Sequence, residues 1–410
     1  MKYVISQVAF SGNKGASGMA KALIQNLREL DPEAKFHVLS YYPKADRRKN
    51  LPVDVEIVDG SPRTVLIRFF LSFWMYLFRL LHLPGTWYLR GAMKPLGTCD
   101  LWIDAAGISF VDGREKFTIF NLLSIFPALA TGRKIVKASQ AMGPFEHTLN
   151  RLLAKCFLPR MTLIAARGDQ TARYLEPLSL KNVVRYSDVA FSLRCSPEDA
   201  ERASALLPPP ENQKKIIGIS PSQVVYALCA KQKIPYLPVL RDFIQQRAAE
   251  GFHCVIFPHS ARQESVKRHN NDLPVLRELK ALLPENEAIS WVDQELSDCE
   301  LRMLIGKLDF LVASRFHAII SAMSTGIPTV VIGWSHKYAE VLSAFGLEQC
   351  CIGYADLSVE NLQKKFNELQ QKSGEIHDRI LAVFSRIRED NRKFFQQIFE
   401  LASSGRKSSS

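Results

Sequence analysis

Eight cysteines are scattered through 410 residues, with no CxxC pair and no regular spacing among them. A structural zinc site or a disulfide framework needs such spacing, so neither is expected and the pattern calls for no metal. A reducing, cytoplasmic location fits the thiols best. Residues 1–30 also lack the charged, apolar and small-residue order of a secretory leader, and a strand-like segment begins at Lys2. C2H2 spacing, a basic heptad region, an aromatic RNA-binding motif and internal repeats are all absent. The net charge of +12 is spread along the chain, so it favours anions in general and gives no reason to expect nucleic acid. Finally, no apolar run is long enough to span a bilayer without a charge. The nearest, Thr64 to Leu83, is interrupted by Arg68 and Arg79, each costing roughly 2.5–3.5 kcal/mol at mid-span.

Those two arginines share one helical azimuth with Ser72, Met75 and His82, a narrow polar stripe on a very apolar helix. Two readings stay open. The helix packs on the core of a first domain, or it lies in a bilayer surface with Phe69, Phe70, Phe73, Trp74 and Phe78 in the lipid.

What is present is alternation. With 47% hydrophobic and 23% charged residues the chain can bury two cores. Short apolar strands are predicted at Tyr3–Phe10, Phe36–Tyr41, Val53–Val58, Leu101–Ala105, Lys134–Ser139 and Thr162–Ala166, with an amphipathic helix at Gly15–Leu30. The pattern stops across Arg194–Lys215, where charges and three prolines suggest a linker. It restarts with Ile216–Pro221, Cys254–Pro258, Ile289–Val292, Asp309–Ala313 and Thr329–Ile332. The fold expected is α/β: two Rossmann-like, doubly wound domains facing a cleft, a GT-B-like architecture. The first domain takes residues 1–195 with an apolar helical insertion at 64–90, and the second, donor-binding domain takes 214–357. Helices should follow at 358–401, then a disordered polar tail at 402–410.

The most informative segment is Asp309 to Lys337. An apolar strand runs into Ser314, a suitable N-cap, and helix-compatible residues follow to Thr325, Gly326 and Pro328. Arg315, Phe316 and His317 are thus expected in the first helical turn, where unpaired N–H groups and the helix dipole favour an anion. The edge is also the one at which doubly wound sheets bind ligands. A helix-cap histidine and an ordinary ion-paired arginine are the plainer alternatives.

The string SRFHAIISAMSTGIPTVVIGWSHK, from Ser314 to Lys337, resembles the C-terminal signature of the polysaccharide pyruvyltransferase family. GNKGASG, DLWIDAAG, SQAMGPF, AARGDQTARYL, SDVAF, GISPS and VIFPH agree with that family in order and position, over roughly residues 3–350. The resemblance implies that Arg315 and Phe316 contact a phosphoenolpyruvate donor and that His317 is the catalytic acid or base. It also asks for a second arginine on the donor, and Arg167 is the candidate. One departure stands out: the family's glycine-rich run after the DLWI strand is replaced here by Asp104, Ala105, Ala106 and Gly107, so close backbone approach there is in doubt.

The chemistry suits these residue types. Phosphoenolpyruvate offers a carboxylate and a phosphate to guanidinium forks. Ketal formation then needs a group that can give and take protons near neutrality, as histidine does. No cofactor enters beyond the donor substrate itself. Further candidates are His259 at the end of its strand and Lys337 after the next one, both toward the donor. On the acceptor side stand Gly12, Asn13, Gly15 and Gly18 in the first loop, with Gly107 and Gln140. Each of these could instead be structural. The partners expected are phosphoenolpyruvate and a glycan acceptor, on a cell-surface polysaccharide or its lipid-linked precursor, with peripheral membrane contact through Thr64 to Leu83. Two other functions remain open: a nucleotide-sugar glycosyltransferase with Glu340 toward the ribose, and a membrane-attached scaffold that has lost turnover.

Overall fold

Fourteen short strands, rich in β-branched and aromatic residues, form two sheets in the computed structural model, which describes residues 1–49, 51–82, 93–208, 214–262 and 271–404. The chain divides into two units. The first gathers Met1–Ser11, Ala16–Leu193 and Ile387–Ser410; the second gathers Gly12–Gly15 and Arg194–Arg386.

The first unit holds β1 (Lys2–Val8), β2 (Lys35–Ser40), β3 (Val55–Asp59), β4 (Leu101–Asp104), β5 (Ile108–Val111), β6 (Ile135–Gly143), β7 (Leu163–Arg167) and β8 (Val183–Tyr186). Their order is β3-β2-β1-β4-β6-β7-β8, with β5 paired to β6, and every registered pair is parallel. Both faces are covered by helices, so β1 and β4 are buried almost throughout. Trp102 is fully buried in β4 and donates its indole N–H to Ser6 Oγ at 2.9 Å, satisfying the one polar atom of a large apolar side chain.

The second unit holds β9 (Ile216–Ser220), β10 (His253–Ile256), β11 (Ile289–Trp291), β12 (Phe310–Ala313), β13 (Thr329–Gly333) and β14 (Cys351–Gly353), in the order β11-β10-β9-β12-β13-β14. All five neighbouring pairs are parallel. In both sheets the order reverses beside the first strand of the unit, between β1 and β4 and between β9 and β12. A doubly wound sheet opens its ligand crevice at that reversal. The expected α/β class with two Rossmann-like domains is therefore what the chain adopts.

Several local expectations change. The stretch taken for a linker contains a helix, Pro197–Ser204, closed at its start by a reciprocal capping box between Ser196 and Asp199. It packs in the second unit on the Asp298–Ile305 helix; residues 209–213 of that stretch lie outside the described residues. The final helix runs unbroken from Ser373 to Ser404. Ala402, placed in a disordered tail by composition, is fully buried, and 405–410 lie outside the described residues.

The apolar insertion is a helix from Pro62 to Leu80, while Leu83 and the rest of the expected insertion lie outside the described residues. The first part of its polar stripe turns inward: Arg68, Ser72 and Met75 are buried, while His82, past the helix end, is exposed. The Arg68 guanidinium donates to the Asp59 carbonyl, and Ser72 bonds back to the Arg68 carbonyl. Phe69 packs against Phe126 of the Glu115–Ala130 helix, with ring centroids 4.9 Å apart. The helix is therefore packed on its domain by the side that carries Arg68, Ser72 and Met75, together with Val65 and Phe69.

Candidate active site

The segment after β12 folds as a strand-to-helix turn at the carboxyl edge of the second sheet. The helix spans Phe316–Thr325, and Gly326 ends it in the left-handed conformation with φ +80°. Its N-cap is Arg315, in extended backbone with no side-chain cap, so Ser314 and Arg315 stand one step outside the positions predicted for them. Ser314 is drawn away by two buried tyrosines. Its hydroxyl lies 3.1 Å from the Tyr236 hydroxyl, and its carbonyl accepts from the Tyr338 hydroxyl at 3.2 Å. The Tyr338 hydroxyl is also hydrogen-bonded to the Phe316 backbone, which meets part of the demand at the helix start.

Arg315 is held by a residue that sequence reading missed. Asp272 has no exposed side-chain surface and caps nothing in the helix it precedes, Leu273–Lys280. Its carboxylate accepts from Arg315 Nε at 3.0 Å and also from Nη2. The backbone N–H groups of Gln223 and Ser260 add two more bonds, each at 2.9 Å. Four donors thus converge on a buried anion, which satisfies it fully. Burial works against the charge on Arg315, but the Asp272 carboxylate outweighs it and holds the guanidinium above its ordinary pKa. The arginine is fixed in direction and remains 15% exposed.

His317 follows on the first turn, partly buried, its ring edge-on to Phe316 with centroids 5.1 Å apart. Its imidazole occupies the space beside Gly15, in the short Gly12–Gly15 segment of this unit. A Cβ at Gly15 would come within 2.0 Å of His317 Nδ1, so only glycine fits there. Gly12 has φ +83°, in the left-handed region that favours glycine, and a Cβ there would lie 3.1 Å from Arg262 Nε. Asn13 ties the segment by accepting the Gly15 N–H at 3.0 Å, and Lys14 is buried in an ion pair with Glu295 at 2.6 Å.

His259, past the end of β10, is buried beside this group. Burial first, and then the charges of His317, Arg315 and Lys14, push its pKa well below the ordinary imidazole value. It stands as a neutral ring at neutral pH. Lys337 is brought in from the other side: its ammonium lies 5.0 Å from the Phe316 ring centroid, 5.1 Å from Trp334 and 5.5 Å from Tyr338. Aromatic faces at these distances attract a cation without neutralising it.

The second unit therefore unites Arg315, Phe316, His317, His259, Lys337 and the Gly12–Gly15 segment. The remaining candidates belong to the first unit. Arg167, at the end of β7, is buried and paired with Asp188 at 2.9 Å; a Cβ at Gly107 would lie 3.9 Å from its Nη1. Gln140 is buried and donates to the Asp104 carbonyl at 2.7 Å. Nearby, Lys137 is buried completely and bonds Asp104 at 2.6 Å and Asn121 at 3.0 Å. Burial lowers its pKa, against the pull of Asp104. The departure at Asp104–Gly107 thus carries a closed polar network in place of a glycine-lined opening.

Among the described residues, one trio has metal-ligand spacing: Asp112, Glu115 and His147. Its carboxylates already accept backbone N–H groups of Gly113, Glu146 and His147, and it lies at the surface, so hydrogen bonding accounts for it.

What the second unit can do chemically follows from this inventory. A fixed guanidinium and an ammonium on aromatic rings can receive a small, multiply charged anion. An imidazole two residues from the arginine can move protons on it. The chain also has wider likenesses. A UDP-GlcNAc 2-epimerase from Neisseria meningitidis, bound to UDP-GlcNAc, superposes with a TM-score of 0.57 at 11% identity, covering 98% of this chain and 100% of that one. The UDP-GlcNAc 2-epimerase of Methanocaldococcus jannaschii gives 0.56 at 12% identity, over 94% and 100%. At such identities these likenesses bear on the fold alone. The sequence profile of the family described as polysaccharide pyruvyl transferase matches residues 13–336, a span that contains Arg315, His317 and every glycine-loop residue except Gly12; the chain belongs to that family and is a transferase.

Proposed function

We propose that the protein transfers the pyruvyl skeleton of phosphoenolpyruvate onto two hydroxyls of a sugar, forming a pyruvate ketal on a surface polysaccharide or its lipid-linked precursor. The observation that carries this reading is the Arg315 guanidinium, locked by buried Asp272 at 3.0 Å and standing two residues from His317. Arg315 and Lys337 hold the donor's carboxylate and phosphate. His317 protonates the methylene carbon, and the cation that develops at C2 is trapped by one hydroxyl as that hydroxyl returns a proton to the imidazole. Phosphate leaves with the C2–O bond, the second hydroxyl closes the ring, and its proton departs with the phosphate. Donor, two hydroxyls, ketal and phosphate balance without an oxidant. A cytoplasmic location accords with this reading and with eight free cysteines.

Calorimetric titration with phosphoenolpyruvate and, separately, with nucleotide sugars tests the donor. Binding of the nucleotide sugar alone would overturn the assignment. His317→Ala should lower phosphate release by about 10²- to 10⁴-fold while the thermal transition is kept. Near-normal release would remove His317 from the chemistry.

A further inference from the structure

On a helix facing water the polar side should point outward, but the Pro62–Leu80 helix is turned the other way. Arg68, Ser72 and Met75 are buried, while Phe70 is 56% exposed and Trp74 54%. Leu66, Ile67 and Phe73 are exposed as well. At about 100° per residue these five share one arc, opposite the buried stripe. Together they offer on the order of 500 Å² of apolar surface, at the upper end of what monomeric proteins leave uncovered.

The charges around the arc favour one occupant. Between Pro62 and Leu80 there is no acidic residue, and exposed Arg63 lies on the same arc. The Glu115–Ala130 helix packed against it begins with exposed Arg114 and Lys116 on either side of Glu115, whose carboxylate is taken up by His147, while Asp112 accepts the backbone N–H groups of Glu146 and His147. No helix among the described residues is long and apolar enough to cross a membrane. A second copy of the chain seated on this face would present the same helix, which offers no carboxylate to Arg63.

We infer that the Pro62–Leu80 helix docks the protein on an anionic lipid surface, lying in the interface with Phe70, Phe73 and Trp74 inserted among the acyl chains. This stands apart from the donor assignment, since none of these residues belongs to the second unit. The test is co-sedimentation of the full chain with vesicles of phosphatidylcholine alone or with about 30% phosphatidylglycerol. Anionic vesicles should bind at least tenfold more tightly than neutral ones, and Phe70→Ser/Phe73→Ser should abolish the binding. Trp74→Phe keeps the apolar face and guards against a folding defect: it should still bind, yet lose most of the quenching that brominated lipids cause in the wild type. Absence of vesicle binding by the wild type overturns the inference. So does unchanged quenching in Trp74→Phe, or a lipid-free dimer that Phe70→Ser/Phe73→Ser dissociates.

Discussion

Asp272→Asn removes one negative charge from a side chain with no exposed surface and leaves its shape almost intact. Breaking one side of a buried ion pair costs roughly 3–5 kcal/mol. Because Arg315 is 15% exposed, water recovers part of that, and a loss of about 2–3 kcal/mol is expected. For a domain of this size that is a fall in Tm of roughly 5–10 °C. The second effect is on the donor. An arginine no longer fixed at Nε and Nη2 must be ordered by the ligand, and one charge-assisted hydrogen bond is worth about 1.5–3 kcal/mol. On the proposed donor assignment, phosphoenolpyruvate should therefore bind about 10- to 100-fold more weakly by calorimetry. The two effects separate in a double-mutant cycle. If Asp272 acts by orienting Arg315, its substitution should weaken binding in the wild type and hardly at all in Arg315→Ala. Unchanged donor affinity in Asp272→Asn, or purely additive effects in the double variant, would refute the argument.

Two further outcomes follow from the same unit. Gly15→Ala would place a Cβ within 2.0 Å of His317 Nδ1, and about 1.4 Å of displacement restores ordinary contact; turnover should fall on the order of 10²-fold. Gly374→Ala, with nothing within 4 Å of the added carbon, should be silent, and equal activity in the two variants would dismiss the steric account. His259 is neutral in the folded state well below the pH at which an unfolded histidine gains its proton. Below about pH 6.5 the unfolded chain then binds more protons, so stability should fall with pH, by at most about 1.4 kcal/mol per unit from this residue. Urea midpoints between pH 5 and 7 should drop less steeply in His259→Gln; the same slope in both proteins would mean that His259 titrates alike folded and unfolded.

Much of the fold was legible because buried parallel strands are continuous apolar runs, as in Tyr3–Val4–Ile5 or Val330–Val331–Ile332. The strands β5, β8 and β14 were not: β5 follows β4 after only three residues, Arg185 interrupts the apolar run of β8, and β14 is Cys-Ile-Gly. In the candidate site, Arg315, His317 and Lys337 lie within one motif and could be picked out together. Asp272 could not: it meets Arg315 across 43 residues of sequence, and in Asn271-Asp272-Leu273-Pro274 its local signal is that of a helix start. Tyr236 and Tyr338 were hidden for the same reason, each reading locally as an ordinary core aromatic. The Pro62–Leu80 helix shows a different limit. Its stripe was visible in the sequence, but periodicity does not say which side of a helix faces the core, and here Asp59 draws Arg68 inward.

The last helix begins in one unit and ends in the other, changing allegiance between Arg386 and Ile387. Asn391 donates at 3.1 Å both to the Asp188 carbonyl and to Ser192 Oγ, and Phe394 sits 4.7 Å from Tyr186, ring centre to ring centre. During synthesis, then, the domain begun first is finished last: its edge at β8 waits for a piece of chain made some two hundred residues later. A truncation at the apparent end of either domain would leave the amino-terminal half an open structure, and the two halves cannot be separated by a single cut without orphaning one of them.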